Sequence, residues 1–329
     1  MTYYDRHMAY GPKDVTARHW LVIGPWNHSG TRRPKNELGG LSFGPDSVMS
    51  MEALHKAWYD HVLKGGPAPA FLKDRVACFI MGRNSWIYAS DLKQIEGAPL
   101  KLALDVSGAV PGDVTQGGRF LAQAPAAPAT VTLTTDPKFL PSREELSADY
   151  PQNLKDQRDA YADQGSRVVL HSAPFLAETV LSGRARLQLQ IAVDQPDADL
   201  WFDMQEVLPD GSAVALTGSS IRLRYRKGGV EGIPMVPGKA ERIEVPPMDF
   251  FARSIAKGSR LRLIVDAGPR FGWQRNSHTG GDLASEPASA GRTTKITVMT
   301  GPGSGSLLEI PRPDDALLER KDDSPKAAK

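Results

Sequence analysis

Arg186-Leu187-Gln188-Leu189-Gln190-Ile191 sets an apolar side chain at every second position with a polar one between. Successive side chains of a strand point to opposite faces, so this alternation predicts a half-buried antiparallel strand with one wet face. Leu261, Leu263 and Val265 alternate with Arg260, Arg262 and Ile264 in the same way. Outward from these two segments, strand-like runs recur at 76–81, 100–106, 130–134, 167–171, 184–193, 200–208, 221–226, 242–245, 260–265 and 294–299. Turn residues separate them. In Leu208-Pro209-Asp210-Gly211, Pro presets φ and Gly accepts φ > 0. Strand after strand with no helical periodicity between them predicts a jelly-roll β-sandwich over residues 74–311. The 31 Gly and 26 Pro, about 17% of the chain against a usual ~12%, agree with a turn-rich, mainly β protein.

The 329 residues suffice for about two domains at ~150 residues each. Forty Lys and Arg stand against 38 Asp and Glu, a net charge of +2, which argues against a nucleic-acid or membrane partner. The run 76–81 is far short of the ~20 apolar residues that span a bilayer. The single Cys78 excludes an intrachain disulfide and a cysteine-based zinc cluster, and mid-strand it reads as a small buried hydrophobe. Met1-Thr2-Tyr3-Tyr4-Asp5-Arg6-His7 lacks the basic-then-apolar pattern of a signal peptide; one Cys suits cytoplasm or periplasm, and the compartment stays open with the cytoplasm preferred. It reads as the inside of a domain, entered abruptly.

Residues 1–73 follow a different grammar. Tyr3, Tyr4 and Met8 fit one short helix closed by Gly11-Pro12, and Trp20-Leu21-Val22-Ile23-Gly24 reads as a buried strand. Asp46 and Ser47 offer an N-cap to a helix carrying Val48, Met51, Leu54, Trp58 and Val62, which Lys64-Gly65-Gly66 ends. Strand, loop and helix in this order are α/β grammar. Residues 312–329, rich in Asp, Lys, Glu and Ala, are expected to be a disordered tail. The polar stretch 141–164 is expected to be a surface excursion with one helical turn.

The segment Leu21-Val22-Ile23-Gly24-Pro25-Trp26-Asn27-His28-Ser29-Gly30 runs from a strand through a tight turn to a histidine. Loops after the carboxyl ends of α/β strands are where catalytic groups collect. A His held there beside an acid is a general base near neutral pH.

"LVIGPWNHSG", "WYDHVLKGG" about thirty residues later, "VACFIMGRNSW", the "LPDG" hairpin and "FGWQRNSHTGG" occur in this order. Together they resemble the C-terminal half of the CocE/NonD serine hydrolases, the group of cocaine-esterase-like enzymes, α-amino-acid ester hydrolases and X-Pro dipeptidyl-peptidases. The resemblance covers residues 1–311. It implies a jelly-roll sandwich preceded by the C-terminal remnant of an α/β-hydrolase domain, with His28 as general base of a Ser-His-Asp triad and Asp5 as the one stand-in for the acid besides Asp14. No Gly-x-Ser-x-Gly elbow occurs in the chain, although that motif precedes the His in triad order. The expectation is therefore a hydrolase portion acting on a small ester or amide substrate through an acyl-enzyme, with its nucleophile and acid supplied by a separate N-terminal half. The chain alone should be inactive and, with an unpaired apolar strand, should self-associate. The competing expectation is a non-catalytic β-sandwich binding module or subunit that completes a separately encoded half.

The other candidates read as structural. His55 and His61, six apart on one helix, miss metal-pair spacing, and Asp60-His61 is expected to fix that helix to the sandwich. Arg222, Arg224 and Arg226, like Arg260 and Arg262, fit a solvated strand face. Asp194, Asp197, Asp199 and Asp203 match no EF-hand spacing. Trp201, Phe271 and Trp273 suit packing, with an aromatic carbohydrate platform as the functional counterpart. No cofactor and no metal are expected.

Overall fold

The computed structural model describes residues 1–139, 153–161, 165–270 and 272–319. At the N-terminus lie helices α1 (Thr2–Tyr10) and α2 (Lys13–Thr16), then strand β1 (Leu21–Ile23) and a small hairpin of β2 (Glu37–Leu38) and β3 (Leu41–Ser42). Helix α3 (Met51–Lys64) follows, then β4 (Val76–Ile80), β5 (Ser85–Ala89) and α4 (Leu92–Glu96). Helix α3 starts later than Asp46 and Ser47 suggested. The Ser50 hydroxyl caps it, accepting from Ala53 N at 3.1 Å, while Pro45–Ser47 forms a separate 3₁₀ turn. The carbonyls of Asp46 and Ser47 are taken by the indole N–H groups of Trp86 and Trp26, at 2.8 and 2.9 Å. Gly65, at φ 70°, ends α3 in the left-handed region, and the Gly65 and Gly66 N–H groups return to His61 O and Asp60 O.

Strand β4 pairs in parallel with β1 (Leu21 opposite Val76) and antiparallel with β5, at the centre of a three-stranded sheet. All five of its residues are buried. Val76, Cys78 and Ile80 pack with Ile87, Leu92, Ile95, Val180 and Ala252, whereas Ala77 and Phe79 pack with Phe43 and Trp86. A strand covered on both faces is continuously apolar, which is why 76–80 does not alternate. Hydrogen bonds from β1 therefore reach across residue 73 into the segment expected to open the sandwich. Burial pushes the Cys78 thiol up to about 12, leaving it neutral and inert.

The sandwich comprises β6 (Pro99–Asp105), β7 (Gly118–Leu121), β8 (Ala129–Thr135), β9 (Arg167–His171), β10 (Thr179–Gly183), β11 (Arg186–Val193), β12 (Asp199–Val207) and β13 (Ala213–Arg222). It continues through β14 (Glu241–Glu244), β15 (Phe251–Ile255), β16 (Arg260–Asp266), β17 (Thr294–Thr300) and β18 (Leu307–Pro311). Its strand order is β13-β12-β16-β9-β7-β6-β18-β11-β17-β8, with β14 on β11. Only β7–β9 is parallel in this sheet; the other pairings are antiparallel. Leu187, Leu189 and Ile191 enter the large core together with Leu261, Leu263 and Val265, as their alternation requires. The two-stranded ribbon β10–β15 joins the halves, with Val180 and Ala252 in the β4 core and Leu181, Phe251 and Ile255 in the sandwich core.

Three expectations are corrected. The run 221–226 is not one strand: β13 ends at Arg222 and Leu223–Tyr225 is a 3₁₀ turn, because Asp197 Oδ1 accepts the Arg224 N–H at 3.0 Å. Its arginines are ion-paired, Arg222 to Asp199, Arg224 to Asp197 and Arg226 to Glu241, and do not line a solvated face. Arg262 is buried under a short helical turn, α5 (Arg158–Tyr161), donating to His171 Nε2, Gln157 Oε1 and Gln205 Oε1. At the chain end, Asp315–Glu319 forms helix α6 with Leu317 buried in the β4 core. The rest of the expected tail and most of the excursion 141–164 lie outside the described residues.

Burial, then the Arg262 and Arg260 charges, push the His171 imidazole down to about 4. The unfolded chain, with a His value near ~6.5, binds that proton more readily, so His171 stabilises the fold fully above about pH 6.5. Stability should fall by on the order of 2–3 kcal/mol as the pH drops from there through about 4. Urea unfolding across this range checks it, and His171→Gln should flatten the slope.

Candidate functional site

Strand β1 delivers its carboxyl end to the loop 24–33, and the sequence braces that loop from within. Pro25 is buried. The Trp26 ring folds back over Gly24 so closely that a β-carbon there would sit 2.5 Å from it, which is why glycine precedes Pro-Trp. Trp26 Nε1 donates to the buried Ser47 carbonyl, and the ring lies 5.9 Å from that of Trp86. The Asn27 side chain accepts from Gly30 N at 3.0 Å, and the Thr31 hydroxyl donates to His28 O at 2.7 Å. Arg32 N and Arg33 N both donate to Ser29 O at 3.1 Å. These bonds hold the backbone on both sides of His28 and leave its side chain exposed, with no hydrogen bond to the ring among the described residues. An imidazole so placed can accept or donate a proton to a group that approaches from outside. Among the described residues no hydroxyl or carboxylate is hydrogen-bonded to it.

Asp5 is placed elsewhere. Its carboxylate pairs with the Arg184 guanidinium, which also binds Glu96 in a fork at 2.7 and 3.0 Å. This seam joins α1, α4 and the β10–β11 connection, and no described contact brings Asp5 to His28. Asp14, the other acid near the loop, pairs with Arg18 one turn on, at 3.2 Å on the surface. Asp60 and His61, expected to tie α3 to the sandwich, are used locally. Asp60 holds Lys56 and Lys64 at 2.8 and 2.7 Å, which lowers its carboxyl to about 2, and His61 Nδ1 donates to Gly66 O at 2.8 Å.

Beside the loop, the outer edge of β1 carries no strand among the described residues. A groove of about 310 Å³ is lined by His19, Trp20 and Val22 at and just before β1, by Leu54 and Trp58 of α3, and by Leu72. Trp20 and Trp58 meet edge to face at 5.1 Å, and the Arg75 guanidinium sits 4.2 Å from the Trp20 ring. On α3, Tyr59, Val62 and Leu63 are exposed. The bracing by Asn27, Ser47 and Trp86 was missed by sequence reasoning. Asn three residues before Gly30 was the signal for the local turn, whereas Ser47 and Trp86 carried none, since only the folded chain brings them near.

Residues 82–309 match the family described as the X-Pro dipeptidyl-peptidase C-terminal non-catalytic domain. Over 299 residues the chain is 26% identical to the cocaine esterase of Rhodococcus sp. (strain MB1 Bresler), an alignment covering 88% of this chain and 51% of that protein. Among solved structures, an aminopeptidase from a marine sediment archaeon, Thaumarchaeota archaeon, superposes with a TM-score of 0.77 at 22% identity, covering 92% of this chain and 51% of that one. An α-amino acid ester hydrolase superposes with a TM-score of 0.73 at 17% identity, covering 89% and 50%. The chain thus spans about half the length of the relatives it matches. His28 lies ahead of the residues that the family match covers.

Replacing Trp26 by Phe should cost about 1–3 kcal/mol in urea unfolding, because it strands the buried Ser47 carbonyl without its donor.

Proposed function

Because the chain belongs to the X-Pro dipeptidyl-peptidase C-terminal non-catalytic domain family, within the CocE/NonD hydrolase group, we propose that it is the histidine-bearing portion of a serine hydrolase. The observation that carries this reading is the braced loop 24–33, which presents an exposed His28 ring, without a partner among the described residues, at the carboxyl end of a parallel strand. In the proposed reaction His28 takes the proton from a serine hydroxyl as that oxygen attacks an ester or amide carbonyl. It then returns the proton to the leaving alcohol or amine, leaving an acyl-enzyme. Water, deprotonated by the same imidazole, releases the acid. The nucleophile, its orienting carboxylate and the oxyanion donors come from an α/β-hydrolase half that is not in this chain. The sandwich packs on that half and closes one side of the substrate pocket, which takes a small or cyclic acyl group.

The unpaired edge of β1 supports the same partner. Parallel sheets are covered on both faces, and an open edge templates pairing with another strand. The apolar groove beside Trp20 and Trp58 and the exposed residues of α3 are the surface that such a half would cover. A second reading, a module that binds without turnover, is favoured for residues 82–309 by the non-catalytic description of their family.

Hydrolysis of p-nitrophenyl butyrate tests the proposal, with the full chain assayed alone and after mixing with an α/β-hydrolase half carrying a Gly-x-Ser-x-Gly elbow. Turnover is expected only in the mixture, and His28→Ala should lower it by roughly 10³-fold or more. Turnover by the chain alone, or a mixture indifferent to His28→Ala, rejects the reading. The chain alone should scatter light as oligomers that dissolve when the half is added. A monodisperse monomer would show that the β1 edge needs no partner.

A further inference from the structure

One row of side chains crosses four neighbouring strands on the face of the large sheet that looks away from the main core. Gln205 of β12 stands opposite Arg262 of β16, Arg262 opposite His171 of β9, and His171 opposite Arg119 of β7. Arg262 is buried within the row, and among the described residues no carboxylate is bonded to it. Its donors go to three neutral acceptors, Nε to His171 Nε2 at 2.9 Å and Nη1 to Gln157 Oε1 at 2.9 Å and Gln205 Oε1 at 3.0 Å. Gln157 and Tyr161, whose ring lies 5.6 Å from the Arg262 guanidinium carbon, belong to a strap, 153–161, laid over this row.

The strap joins two parts of the molecule. Leu154 N donates to Gly39 O, in the turn between β2 and β3, at 3.1 Å, and Leu154 O accepts from Ala215 N of β13 at 2.7 Å. A β-carbon on Gly40 would lie 3.6 Å from the Lys155 side chain, so the hairpin turn and the strap touch. Gln205 Nε2 donates to Asp156 O at 3.3 Å, and the buried Ala160 packs on Val169 and Ile264. The hairpin that follows the His28 loop is thereby fastened to the outer face of the sandwich.

This fastening fits one protonation state of His171. A guanidinium only donates, so His171 Nε2 must be a bare acceptor with the ring proton on Nδ1. An imidazolium carries N–H on both nitrogens. It would set one of them against the Arg262 Nε–H and place a second positive charge beside a buried one. The charged groups around the ring do not offset this. On β16, Arg260 reaches Ser172 O and Arg262 holds the row; on β7, Arg119 is taken by Asp105. In the turn before β7, Asp113 accepts from Thr115 and Gln116 with both its oxygens. From the strap come Lys155, Asp156 and Tyr161. Burial opposes protonation of the ring, and the Arg262 and Arg260 charges oppose it further.

We propose that residues 153–161 are an acid-released strap, closed on the sandwich and the β2–β3 hairpin while His171 is neutral and freed when His171 takes a proton. Every group it uses lies in this chain, so it stands whether or not the hydrolase reading does. With the strap open, His171 is solvated and returns toward its ordinary value near ~6.5, so the open form binds the proton more readily than the closed one. Opening is therefore favoured as the pH falls below that value, by up to about tenfold per pH unit until the closed form is protonated too.

Hydrogen exchange of the full chain, followed by mass spectrometry and corrected for the intrinsic rate at each pH, tests this. Protection of the segment 153–161 and of the Ala215 amide should fall about tenfold or more between pH 7.5 and pH 5, while β11 and β17 keep theirs. His171→Gln, whose side-chain oxygen accepts from Arg262 at every pH, should keep the strap protected at pH 5. Gln157→Ala removes the strap's own bond to Arg262 and leaves the row on the sheet intact. It should lower protection of 153–161 already at pH 7.5, with the urea midpoint retained. Protection at pH 5 equal to that at pH 7.5 overturns the proposal, as does an equal loss in His171→Gln. Loss that comes only together with loss in β11 and β17 is unfolding of the whole chain and overturns it too. If Gln157→Ala leaves 153–161 as protected as before, Arg262 does not hold the strap and the proposal falls.

Discussion

Strand β4 is hydrogen-bonded along both edges and buried on both faces, and the remainder of the molecule is arranged around that fact. Its odd and even residues look into different cores. Val76, Cys78 and Ile80 face the ribbon β10–β15 and helices α4 and α6, while Ala77 and Phe79 face Phe43 and Trp86. Because side chains alternate strictly, a slip of one residue would exchange the two sets, placing Phe79 where Cys78 and Ile80 fit. Register is thereby pinned for β1 as well, and with β1 the position at which the loop bearing His28 begins.

The same strand is where the N-terminal segment and the sandwich are made one body. Met81, directly after it, exchanges backbone hydrogen bonds with Ala252 and Ser254 of β15. Glu206 of β12, fully buried, takes the Arg253 guanidinium and the Ala256 N–H, so the ribbon is tied in turn to the large sheet. The Asp5–Arg184–Glu96 seam adds a charged clasp on the other side. For the buried Arg253–Glu206 pair, desolvation offsets much of the attraction, whereas the Asp5–Arg184–Glu96 clasp is partly exposed.

Rigidity in the loop 24–33 follows from where its neighbours get their hydrogen bonds. The two indole N–H groups of Trp26 and Trp86 consume successive carbonyls, Ser47 and Asp46, of a single 3₁₀ turn. That turn displaces the start of α3 to Ser50 and in exchange seats both rings. The bracing fixes the backbone on both sides of His28 without a described contact to the imidazole itself.

What the sequence by itself determined is whatever repeats with a local period or a local steric rule. The alternation of Leu187, Leu189 and Ile191 and of Leu261, Leu263 and Val265 placed a sandwich, Lys64-Gly65-Gly66 placed the end of α3, and the order of Gly-Pro-Trp-Asn-His with the later segments placed the family. What only the tertiary structure decided is whatever depends on partners distant along the chain. The arginines at 222, 224 and 226 read as a wet face, because nothing local says that Asp199, Asp197 and Glu241 stand opposite them. Arg262 alternates like an outward residue yet is covered by Gln157 and Tyr161, from a segment a hundred residues away. Asp5 lay near His28 in sequence and went to Arg184. An ion pair or a buried hydrogen bond leaves no periodic trace, for its energy depends on a distance that exists only once the chain is folded.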